Sequence, residues 1–105
     1  MRSRSTILWR EPWQPVVDAR EKETLEAELR REVAQRHPLH DQPASAIGRR
    51  VDADDVLFLV RDRFAVVRLT WTAAAPDHPP WPMTRFFADV DELSRDCLVP
   101  DADLY

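Results

Sequence analysis

The stretch Asp54 to Arg85, DDVLFLVRDRFAVVRLTWTAAAPDHPPWPMTR, decides the fold. Residues 56–60 are apolar at every position, as expected of a strand buried on both faces. Residues 64–72 alternate. Ala65, Val67, Leu69 and Trp71 point one way, and Phe64, Val66, Arg68, Thr70 and Thr72 point the other. Only Arg61-Asp62-Arg63 separates the two runs, so they read as an antiparallel hairpin. A Pro- and Trp-rich loop follows, and Met83 to Ala88 is a further short strand candidate.

Upstream, residues 18–36 contain no Gly or Pro and are rich in good helix formers. Asp18 with Glu21 resembles a capping box. Leu25, Leu29 and Val33 form one stripe, and Glu26–Arg30 and Glu32–Arg36 fall at the spacing of surface ion pairs. His37-Pro38 ends the helix, because the residue before proline avoids the α region. A strand is expected over residues 46–51, with Gly48, the single glycine, at a bulge or a close contact. Asp89 and Glu92 open a second, short helix whose apolar face is Val90, Leu93 and Cys97, ending at Pro100. The expectation is an α+β domain over residues 1–105: a three- to four-stranded antiparallel sheet packed against one long N-terminal helix, with a short C-terminal helix. Residues 1–17 read as an arm, with a short strand around residues 6–9. Residues 99–105 read as a loose acidic tail.

At 105 residues and 44% hydrophobic content the chain can bury one core without disulfides or a metal. Its one cysteine can form no internal bridge, which points to a reducing, cytoplasmic setting. The apolar run at residues 7–9 is too short for a signal peptide, and none approaches a membrane span. The net charge is −4, and residues 89–105 hold six acids against the single base Arg95. That balance disfavours nucleic acid as a partner. One glycine leaves no room for a Gly-rich phosphate loop, so no cofactor is expected.

The segments VVRLTW and WPMTRFF, together with Glu28-Leu29 to Glu32 and His37-Pro38-Leu39, resemble a pattern in an uncharacterised family of small bacterial proteins. These pair a strand ending Leu-Thr-Trp with a downstream Trp-Pro-x-Thr. The resemblance covers most of residues 25–95 and implies a compact domain but no activity. A histidine is common in that family where this chain has Arg68, so no catalytic role is carried to that position.

Candidate chemistry is sparse. His37, His40 and Asp41 form a His-x-x-His-Asp group that could ligate a metal, with His78 joining only through the fold. The competing reading is a helix-ending His37 and a solvated His40. Arg68 on an apolar sheet face needs a carboxylate, an anion or a route to water. Trp71 and Trp81 flank a proline-stiffened loop suited to partner contact; the competing reading, favoured for Trp71, is that the indoles roof the core and the prolines protect a sheet edge. Arg85 follows that loop. Cys97 on an apolar helix face would be inert. The leading expectation is a non-enzymatic module that binds another protein or itself, immunity- or antitoxin-like by analogy of size and charge. The competing expectation is a small-ligand binder or enzyme with a pocket around Arg68, Trp71, Trp81 and a histidine.

Overall fold

The structure, a computed structural model, describes residues 7–71 and 82–105. It is α+β, and among the described residues the sheet has five antiparallel strands in the order β1-β2-β3-β4-β5. These are β1 (Trp13–Pro15), β2 (Ser45–Arg50), β3 (Asp55–Val60), β4 (Arg63–Arg68) and β5 (Thr84–Phe87). The expected hairpin is present: Val56 pairs with Val67, Phe58 with Ala65 and Val60 with Arg63. The strand beyond the expected number is β1. Its three residues, Trp-Gln-Pro, carry little strand signal of their own and are held by pairing with Gly48 to Arg50. Where a strand around residues 6–9 was expected, residues 7–9 have no regular structure and residues 1–6 lie outside the described residues.

Helix α1 (Ala19–Glu32) has 14 residues, shorter than the 18–36 expected. Asp18 caps it, accepting from the Arg20 N–H. Val33 already has extended backbone, so the helix stops before His37-Pro38 and Arg36 lies beyond it. Neither expected ion pair holds. Glu26 pairs with Lys22 and accepts from the Ala46 N–H at 2.8 Å, and Glu32 turns inward.

Two cores lie on opposite faces of the sheet. Leu25, Leu29 and Val33 of α1 meet Val56, Phe58 and Val60 of β3 and Ala65 and Val67 of β4. On the other face Leu57, Phe64, Val66 and Phe87 meet Trp13 and the C-terminal Leu93, Cys97 and Leu98. The arm and the C-terminal helix therefore share the covering of this second face. Gly48 sits at a register shift in β2, where a methyl group would overlap the Trp9 ring, as its position in the sequence suggested.

The C-terminal helix does not end at Pro100. Helix α2 (Val90–Leu93) runs through a π-helical turn (Ser94–Leu98) into α3 (Val99–Leu104). The wide turn shifts the hydrogen-bond partners just where proline has no N–H to donate. The acidic end is thus helical through Leu104, and Asp101 anchors it. Its Oδ2 accepts from Trp13 Nε1 at 2.9 Å and lies 3.3 Å from an Arg50 guanidinium nitrogen. The acid-rich composition that suggests a solvated tail hides this one docking carboxylate. No helix among the described residues is long and apolar enough to cross a membrane.

Candidate functional site

The C-terminal end of α1 and the turn after it hold both flanks of segment 72–81. Glu32 is fully buried, and its Oε1 and Oε2 accept from the backbone N–H groups of Thr70 and Trp71 at 2.7 and 2.8 Å. Leu25, Glu28, Leu29, Glu32 and Val33 lie on one helical stripe, so the spacing that buries the leucines also buries the two acids. Burial raises the Glu32 carboxyl above its ordinary value, and the hydrogen bond with Glu28 raises it further, against the lowering pull of Thr70 and Trp71. Burial works the same way on Glu28, but its bond to Glu32 and the Arg31 guanidinium outweigh it and hold Glu28 below its ordinary value.

His37 holds the other flank. The Leu39 N–H donates to its Nδ1 at 3.0 Å, which leaves the proton on Nε2. Nε2 then donates to the Pro82 carbonyl at 2.9 Å, which also accepts from the Thr84 hydroxyl at 3.0 Å. With both ring nitrogens engaged and the side chain buried, His37 has no lone pair for a metal. His40 faces Asp41 at 3.5 Å near the surface, and among the described residues no group of three or more His, Cys, Asp and Glu side chains is placed to hold a metal. His78 and Trp81 lie outside the described residues.

The Glu32 hydrogen bonds set how Trp71 is presented. Its φ is 57°, in the left-handed region that a bulky residue rarely adopts, and its side chain is 46% exposed. Strand β4 was expected to run on to Thr72. It stops at Arg68 because the amides of Thr70 and Trp71 turn to Glu32. Trp71 overhangs a cleft of about 210 Å³ between the first turns of α1 and the β2–β3 turn. None of the other described sequence candidates lines this cleft. Arg68 projects to solvent and bonds its cross-strand partner, the buried Asp55, at 2.7 Å. This satisfies the need for a carboxylate from within the hairpin itself. The Asp55 bond raises the Arg68 guanidinium above its ordinary value. Arg85 lies opposite Val66, over the Phe87 ring at 5.6 Å, and reaches Cys97 Sγ at 3.6 Å. The Cys97 thiol is buried, and burial, followed by the Asp101 charge, pushes it up to about 12, which leaves it unreactive.

Comparison of the chain with protein-family models, with curated proteins and with solved structures returns no match. The residues that sequence reasoning missed are Glu28, Glu32 and the role of His37. The signal for the acids was present, since positions 28 and 32 complete the stripe begun by Leu25, Leu29 and Val33. The partner of Glu32, a pair of amides 38 and 39 residues away, has no sequence signature.

Proposed function

We propose that the chain is a small, cytoplasmic, non-enzymatic protein-interaction module that binds another protein, or a second copy of itself, around Trp71. One observation supports this reading: an indole nearly half exposed, on a backbone of unfavoured φ, anchored by a fully buried carboxyl. Left-handed backbone at a bulky residue costs of order 1–3 kcal/mol and persists only where the surroundings impose it. Exposed, pre-set tryptophans are typical binding anchors, because little freedom is lost when a partner covers them. The immunity- or antitoxin-like form remains an analogy of size and acidity.

The test combines light scattering with affinity capture from a bacterial lysate, using the wild-type chain and Trp71→Ala. The reading expects either self-association or a captured protein, reduced at least tenfold in the variant. A strict monomer with equal recovery in both arms would remove it.

A further inference from the structure

We propose that the cleft under Trp71 receives a cationic side chain, arginine or lysine, of a partner protein; this rests on the interaction reading above and names the chemistry at its centre. Size is the first ground. Pockets for drug-sized ligands run from about 300 to 1,000 Å³, whereas this cleft holds about 210 Å³, room for one side chain. Charge is the second. Of the ionisable groups that line it, Glu21 is paired with Arg49, and Asp55 with Arg68. Asp54 is left over. Its carboxylate makes no hydrogen bond or ion pair among the described residues. The third ground is Trp71, which lines the same cleft and whose backbone N–H is fixed by Glu32; indole is the best of the aromatic faces for a cation.

An unpaired aspartate and a tryptophan lining one small concavity suit a guanidinium or ammonium group, which can pair with the first and lie on the second. Magnitude then separates a side chain from a free cation. One exposed cation–π contact and one exposed ion pair together give affinities only on the order of tens to hundreds of millimolar. Useful affinity needs the rest of a partner around the same point.

The experiment is a nuclear magnetic resonance titration of the full, isotope-labelled chain. The probes are N-acetyl-arginine amide, its uncharged isostere N-acetyl-citrulline amide, ethylguanidinium, and a blocked Ala-Ala-Arg-Ala-Ala peptide. The expected result is saturable shifts confined to the Trp71 indole and the amides of Ala53 and Asp54. Arginine should bind at least tenfold more tightly than citrulline, and the peptide more tightly than ethylguanidinium. Asp54→Asn and Trp71→Ala should each weaken binding about fivefold. Citrulline binding as well as arginine, shifts spread over all acidic residues, or no shift would overturn the proposal. Ethylguanidinium matching the peptide would overturn the assignment to a partner's side chain. Because the titration needs no partner, a flat result alongside capture that still depends on Trp71 removes the cleft and leaves the interaction reading standing. A localised, peptide-selective result from a strict monomer that captures no protein does the reverse.

Discussion

On the α1 face of the sheet the buried carboxyl of Glu32 takes backbone amides; on the opposite face the half-buried carboxylate of Asp101 takes side chains. The first core is aliphatic apart from Phe58, with Phe86 packed against it, and the second is built around Trp13, Phe64 and Phe87. An acceptor for an indole N–H and a guanidinium docks one element on another. An acceptor for two consecutive amides fixes the path of the chain itself, here at the residue where β4 would otherwise continue. The difference teaches that the α1 face controls how Trp71 is displayed, whereas the other face closes the molecule.

This contrast can be broken by substitution. Glu32→Ala leaves two amides without acceptors and should cost about 2–4 kcal/mol, measured by urea unfolding, with a changed Trp71 indole signal. Gly48→Ala forces a methyl into the Trp9 ring on the second face and should cost about 1–3 kcal/mol, with no change at Trp71. Asp101→Ala orphans the Trp13 indole N–H and should cost about 1–2 kcal/mol, loosening the C-terminal helix in hydrogen exchange while Thr70 and Trp71 stay protected. If the Asp101 variant disturbed Trp71 as much as the Glu32 variant does, the division of labour would be wrong.

Two smaller effects sharpen it. Glu32 is raised above its ordinary value, so just above the usual carboxylate range the native chain binds more protons than the unfolded chain. Stability must then fall as pH rises through the Glu32 titration. Glu26 and Glu28 are lowered and act in the opposite sense, their contribution being lost as pH falls through their native values. Glu32→Gln should therefore flatten the decline on the high-pH side and leave the acid side in place, read from unfolding midpoints across pH. On the second face Cys97, with its thiol at about 12, should resist an aromatic disulfide reagent in the native chain and react once that face opens. Rapid labelling of native protein would show the aromatic core to be looser than its packing implies.

Much of this frame was legible because it is local. The β3–β4 hairpin follows from a run buried on both faces, a three-residue gap and an alternating run; the Asp89 cap, which accepts from the Glu92 N–H at 2.9 Å, follows from residue type and spacing. Gly48 was readable as a close contact because a lone glycine in a strand has few other reasons to be there. What was not legible depends on distant partners. β1 is a strand only because β2 lies beside it, and its Gln and Pro argue against it in isolation. Glu32 carries the same letter as a solvated glutamate, and only the approach of Thr70 and Trp71 makes it an anchor. The helix continues past Pro100 because a π turn precedes it, a hydrogen-bond shift that composition does not encode. Among the candidate site residues, Trp71 was found from its place beside a proline-rich loop. Arg68 was recognised as needing a partner, yet that partner, Asp55, was reachable by counting back across the hairpin.

The Trp13–Asp101 hydrogen bond joins positions 88 apart in sequence, while every strand pairs with its neighbour in the chain. Order of synthesis then matters. Once β5 has left the ribosome the sheet and the α1 face can assemble, but Trp13, Leu57, Phe64 and Phe87 have no roof until residues 93–101 follow. During that interval the nascent chain carries a finished α1 side and a bare side around Trp13, Phe64 and Phe87, and it is the bare side that a chaperone would meet.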